Sequence, residues 1–213
     1  MAREGLPFVG AGLLIAALFW LGGHFLWAPL VYGAIFFVGL SAFVVFFFRD
    51  PERTPPGEEG LIVSAADGKV VDIRDIEDDY LGGQAIQLSI FLSVFNVHIN
   101  RVPLSGVVDF VKWHRGRFHA AFVAAASTEN EQSIIGIRNG STRIVVKQIV
   151  GVLARRIVCR LQEGDDVKTG DRFGLIRFGS RVDFILPPDT QLRVAVGDRV
   201  RAGETIIGVV QDV

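Results

Sequence analysis

The stretch Glu163-Gly164-Asp165-Asp166-Val167-Lys168-Thr169-Gly170-Asp171-Arg172-Phe173-Gly174 returns in outline at Val196-Gly197-Asp198-Arg199-Val200-Arg201-Ala202-Gly203-Glu204-Thr205-Ile206-Ile207-Gly208. Both copies follow G-D-x-V-x-x-G-[DE]-x-[FI]. Glycines at fixed offsets suit tight turns, and the Val and Phe/Ile positions suit a buried strand face. Upstream, Val- and Ile-rich runs alternate with turn signals: Gly68-Lys69-Val70-Val71-Asp72-Ile73, Gln84-Ala85-Ile86-Gln87-Leu88-Ser89-Ile90, Arg143–Val150 and Arg155–Cys159. Branched side chains at this spacing predict a mainly β body. One Ala-rich segment, Phe118–Ala126, reads as a short helix or an irregular loop.

The two repeats resemble the hairpins of lipoyl- and biotinyl-type barrel-sandwich folds. A carrier domain of that kind presents a lysine at a hairpin tip, but Lys168 lies inside the repeat pattern. The carrier reading is therefore the weaker one.

Outward from the β body, the N-terminal region has a different composition. From Gly5 to Phe48 there are 44 residues without Asp, Glu, Lys or Arg, about twice the length of one membrane-spanning helix. A break at Gly22-Gly23-His24, with Pro29 beyond it, predicts two apolar helices over Leu6–Leu21 and Phe25–Phe48. The run is too long and too aromatic for a signal peptide. Arg3 precedes it, Arg49 and Arg53 follow, and the turn has no cation, which places both ends and the body on the cytoplasmic face of the cell membrane. Residues 49–60, with three prolines, read as a juxtamembrane linker between a hairpin over 1–48 and a domain over 61–213. A formal charge of −1 argues against a nucleic-acid partner, and a single cysteine, Cys159, against a disulfide scaffold. Cys159 reads as a core thiol.

Three places could carry chemistry. In Arg177-Phe178-Gly179-Ser180-Arg181-Val182-Asp183, the Ser180 hydroxyl can attack the Gly179 carbonyl, exchanging an amide for an ester, and glycine tolerates the strained approach. His98 stands at the end of an apolar run with Asn96 two residues earlier. On one strand face the Asn96 side chain would orient the imidazole, which could take the serine proton. His114, Arg115, Arg117 and His119 form a basic cluster that could bind phosphate or carboxylate, or be only an exposed loop. Zinc is disfavoured, because the two histidines have no evident third ligand and the cysteine is remote. A G-x-S-x-G elbow is absent around Ser180, which disfavours an ordinary hydrolase.

Together these segments resemble the short bacterial form of the phosphatidylserine decarboxylases. The resemblance is carried by Phe47–Arg53, Ser64–Val70, Phe95–Arg101, the Asn130-Glu131 region and Phe178–Asp183, in that order along the chain. It implies self-cleavage between Gly179 and Ser180 into a β chain of residues 1–179 and an α chain of residues 180–213. The α chain would begin with a pyruvoyl group made from Ser180. The implied substrate is the serine phospholipid, which loses CO₂ through a Schiff base to give the ethanolamine lipid. His98 matches the family histidine assigned to base work. Longer relatives have an aspartate where this chain has Asn96, and an amide can orient an imidazole without stabilising its charge. His119, or else His114, is the counterpart of a second histidine linked to substrate handling, and Phe178 would supply an apolar wall. The expected partners are the phospholipid, the membrane, the two chains of one precursor and possible further copies of the protein. The competing reading is a non-enzymatic, membrane-anchored barrel-sandwich adaptor.

Overall fold

A computed structural model describes residues 1–57, 60–152, 156–177 and 179–210. It divides into two compact units, Met1–Pro51 and Glu52–Val213. In the first, α1 (Leu6–Phe25) and α2 (Leu30–Phe47) are each long and apolar enough to cross a membrane. Leu14, Leu18, Trp20, Tyr32, Ile35 and Phe36 point outward, while small residues form the seam between the helices. A side chain at Gly12 would strike the Ser41 hydroxyl, and one at Gly33 the Phe19 ring. Close approach through small residues is how apolar helices pair where hydrophobic burial is not available as a driving force.

The turn between these helices lies further along the chain than the glycines suggest. Gly22 and Gly23 remain helical, and the chain reverses over Leu26–Pro29. There the Leu26 and Trp27 amides bond the Gly22 carbonyl at 2.8 and 3.0 Å, and Pro29 caps α2. The glycines act through space. A Cβ at Gly23 would lie 3.0 Å from the Val31 amide nitrogen, so they admit the start of α2 and leave the turn to proline.

The second unit is mainly β. Its large sheet has the order β13 (Arg199–Val200), β2 (Gly68–Asp78), β3 (Gly83–Leu92), β11 (Ser180–Leu186), β7 (Thr142–Ile149), β6 (Gln132–Asn139), β5 (Gly106–His114) and β9 (Asp166–Val167). Two three-stranded sheets accompany it: β1 (Leu61–Val63), β14 (Ile206–Val209) and β12 (Gln191–Leu192), and β4 (Ile99–Arg101), β10 (Arg172–Ile176) and β8 (Ile157–Cys159). Leu88, Ile90, Leu92, Val146, Val182 and Phe184 fill the main core, and Ala85, Val145 and Ile185 a smaller cluster. Strand β11 therefore contributes to both clusters, and all seven of its residues are buried. Cys159 packs against the main core, and burial pushes its thiol pKa up. The Ala-rich segment is mostly turns, ending in one short helix, α3 (Ala126–Glu129).

The repeats do not close into hairpins of their own. In each copy the first strand joins the eight-stranded sheet and the second a three-stranded one. The copies nevertheless dock alike. Gly164 N and Asp165 O bracket Val108, as Gly197 N and Asp198 O bracket Val70. Likewise Gly170 N and Asp171 O bracket Val102, and Gly203 N and Thr205 O bracket Ser64. A repeated Gly-x-Val, at Gly68–Val70 and Gly106–Val108, is the sequence trace of this second duplication. Each repeat thus closes a corner on a different upstream strand.

Candidate active site around Gly179 and Ser180

Gly179 sits at φ +62°, the left-handed region where a Cβ would be strained. Its carbonyl oxygen lies directly against Gly151, in the space a side chain there would occupy. Ser180, the first residue of β11, pairs with Leu92 of β3 and has no exposed surface. Its Oγ has no hydrogen-bond partner among the described residues. Leaving a buried hydroxyl unsatisfied costs about 1–3 kcal/mol, which is common where a group is held for reaction rather than for stability. Phe178 lies outside the described residues.

His98 is buried just before β4, and its carbonyl accepts the Ile176 amide at 3.3 Å. Pairing of β4 with β10 thus sets His98 beside the strand that leads to Gly179 and Ser180. The orienting contact differs from the one expected. Residues 93–98 form a turn rather than a strand, so Asn96 and His98 do not share a strand face. The Asn96 amide oxygen accepts bonds from Ser93 N and Oγ at 2.9 and 2.7 Å. Its main-chain carbonyl instead lies 3.0 Å from His98 Nδ1. With Nδ1–H donating there, the basic lone pair falls on Nε2.

The basic cluster is divided. Arg117 and His119 meet on one carboxylate, Glu129, at 3.3 and 3.0 Å. His114 and Arg115 are exposed at the end of β5. Asn130, completely buried, fixes the His119 segment: its Oδ1 accepts the His119 amide at 2.8 Å, and its Nδ2 donates to the carbonyls of His119 and Val150 at 2.9 and 2.8 Å. Val150 precedes Gly151, so this one amide couples the His119 loop to the wall behind the Gly179 carbonyl.

Two buried polar groups were not anticipated. Arg181 Nε donates to Asp183 at 2.6 Å, and Asp183 also accepts the Ser127 hydroxyl at 2.6 Å. Both ionic side chains are at most 1% exposed. Arg181 and Asp183, alternating with Val182 and Phe184, were the visible sign of a strand whose second face is covered. Gln148, meanwhile, links Asn100 Oδ1 at 2.8 Å to the Ser133 hydroxyl at 2.7 Å across the core.

Fold and site together define a mainly β protein whose central strand opens on a buried serine behind a left-handed glycine, with two apolar helices at its N-terminus. The chain belongs to the phosphatidylserine decarboxylase family, whose sequence model matches residues 40–208. It is 47% identical to a phosphatidylserine decarboxylase proenzyme of Symbiobacterium thermophilum, over 98% of this chain and 94% of the relative. Proteins of the same description from Geobacter metallireducens and Chlorobium limicola are 45% and 42% identical, each over at least 95% of both chains. Family membership places the chain among decarboxylases.

Proposed function

We propose that the chain is a proenzyme that cleaves itself between Gly179 and Ser180 and then decarboxylates phosphatidylserine to phosphatidylethanolamine at the cytoplasmic face of a membrane. The observation that carries this reading is the pair itself: a left-handed glycine whose carbonyl is wedged against Gly151, followed by a buried hydroxyl without a hydrogen-bond partner among the described residues.

The Ser180 Oγ would attack the Gly179 carbonyl carbon while His98 accepts its proton. A new C–O bond forms, the C–N bond breaks, and the Ser180 nitrogen leaves as an amine, giving an ester. Loss of the Ser180 α-proton and rupture of the Cβ–O bond release the Gly179 carboxylate. The dehydrated residue at 180 takes up one water, loses ammonia and ends as a pyruvoyl group. Position 180 suits that group, because it is buried, begins a strand and makes no side-chain hydrogen bond among the described residues. A pyruvoyl carbonyl there supplies an electrophile for the substrate amine and an acceptor for the electron pair left by departing CO₂.

The remaining residues hold the two chains and the substrate. After cleavage, residues 180–213 stay in place through β11 between β3 and β7, β13 on β2, and β14 on β1. Residues 1–48 would anchor the domain formed by residues 61–213 beside a substrate that does not leave the bilayer. His119 is the better candidate for substrate handling, because Asn130 ties it to Val150, whereas His114 is exposed at a strand end. Arg117 shares the Glu129 carboxylate with His119 and belongs to the same group.

Denaturing mass spectrometry of the purified chain tests the reading. Fragments of residues 1–179 and 180–213, the smaller with a blocked N-terminus, are expected. Ser180→Ala should remain one chain and release no CO₂. A wild-type chain that stays intact, active or not, would overturn the self-cleavage.

A further inference from the structure

On the face of the large sheet opposite the main core, Arg199, Lys69, Phe91 and Arg181 are successive cross-strand partners on β13, β2, β3 and β11. Arg199 and Lys69 are both exposed and directly opposed. Among the described residues neither has a carboxylate within ion-pair distance. Like charges set directly across a strand pair are destabilising, since their Cβ atoms are roughly 5 Å apart. A third cation, Arg201, follows on the same edge and reaches Glu204 only at 3.9 Å, while Glu204 bonds Arg53 at 2.8 Å. The nearby Asp67 carboxylate is also occupied, by Arg53 at 3.0 Å and the Ala202 amide at 2.8 Å. Excess positive charge thus remains where it costs stability.

These cations line a cleft of about 550 Å³ whose other walls include Phe91, Phe95, Ser93 and Asn96. Ser93 and Asn96 belong to the turn that ends at His98, and β3 ends at Leu92, the partner of Ser180. Lys69 stands two strands from Arg181, about 10 Å at the usual strand spacing. The cleft therefore borders the turn that carries His98, on the sheet face opposite the one Ser180 shares with Val182 and Phe184. A compact monoanion with several acceptor oxygens can bridge a lysine and an arginine that no carboxylate neutralises. The aromatic walls suit the carbon skeleton attached to such a group.

We propose that this cleft binds the phosphodiester of a glycerophospholipid, with Lys69 and Arg199 sharing the phosphate and Arg201 at its rim. The choice of lipid rests on the function proposed above. The phosphodiester can belong to the serine lipid about to react or to a neighbouring anionic lipid, and the two sources are separable by experiment.

The test uses the full-length Ser180→Ala chain in neutral detergent, so that binding is read without cleavage or turnover. Calorimetric titration with sn-glycero-3-phosphoserine and sn-glycero-3-phosphoglycerol should show saturable binding. Lys69→Gln or Arg199→Gln should weaken it roughly tenfold, the loss of one charge-assisted hydrogen bond. Lys69→Arg should retain it. Binding of the phosphoserine compound alone identifies the substrate as occupant, and binding of both identifies the phosphodiester of any anionic lipid. Because each glutamine variant removes half of a repulsive pair, it should melt no lower than its parent. Absence of binding, or affinity unchanged in both glutamine variants, overturns the proposal. If the wild-type chain also failed to cleave, the proposed reaction would fall while the binding result stood.

Discussion

The carbonyl oxygen of Gly179 occupies the space beside Gly151 where any other residue would place its β-carbon. The contact joins the end of the β7 segment to the peptide proposed for cleavage, and it sets where the oxygen stands as its carbon is attacked. The same site would crowd Ala121, whose Cβ would be 3.3 Å from an added Cβ. Gly151→Ala should therefore displace the Gly179 carbonyl and slow self-cleavage by about a hundredfold, a usual effect of misplacing a reacting atom by roughly 1 Å. The fraction of intact chain on denaturing gels over time measures it. Cleavage at the wild-type rate would show that the contact does not position the carbonyl.

His98 has its own test in the same assay. His98→Ala should accumulate the 213-residue chain, because it removes the base proposed to take the Ser180 proton. Asn96→Ala, by contrast, should leave cleavage close to normal. It keeps the main-chain carbonyl that faces Nδ1 and loses only the bonds from Ser93. Equal defects in the two variants would return the orienting role to the Asn96 side chain.

The buried Arg181–Asp183 pair should matter for assembly of the two chains. Arg181→Met strands the Asp183 charge in the interior and should cost about 3–5 kcal/mol, read as a lower urea midpoint in neutral detergent. Replacing both residues by apolar ones should recover much of that loss. A single variant as stable as its parent would mean that Asp183 is satisfied by Ser127 and Gln87 alone.

Asn130→Ala removes three hydrogen bonds at a fully buried position and should destabilise the body by about 2–4 kcal/mol. It should also loosen the His119 loop against Val150. Hydrogen exchange should rise at the His119 amide, while amides at the far end of β6 should be unaffected.

Acid stability should carry the signature of Asp109. Burial alone pushes its pKa up, but the Tyr80 hydroxyl at 2.8 Å and the Arg138 guanidinium at 3.1 Å outweigh it and hold the carboxyl below its ordinary value. A depressed folded pKa adds stability that is complete above the unfolded value, about 4, and is lost as pH falls through the folded value. Asp109→Asn should thus lower the urea midpoint at pH 7, and its deficit should shrink below about pH 4. A deficit independent of pH would point to lost packing. Burial, then the bond to Asp109, raises the Tyr80 pKa, so that phenol stays neutral across this range.

Much of this was legible along the chain. The uncharged N-terminal run required apolar helices, since so long a segment without charge has no other stable use, and Val- and Ile-rich alternation required strands. Gly179, Ser180 and His98 were legible as residue types able to do one piece of chemistry. What failed was local inference carried too far. Gly22-Gly23 read as a turn because glycine weakens helices, yet a partner helix needed the space more. Asn96 and His98 read as strand neighbours, but Ser93 captured the Asn96 amide and folded the segment into a turn.

Sequence by itself thus determined the element types and the candidate reacting groups, because these follow from composition, period and side-chain chemistry within a few residues. Only the tertiary structure decided that Gly151 backs the Gly179 carbonyl, that Asn130 couples His119 to Val150, and that Arg199 faces Lys69. Gly151 precedes Gly179 by 28 positions, and Lys69 precedes Arg199 by 130. Contacts of that span are set by which strands pair and in what register, and register is a property of the packed sheet rather than of any one strand.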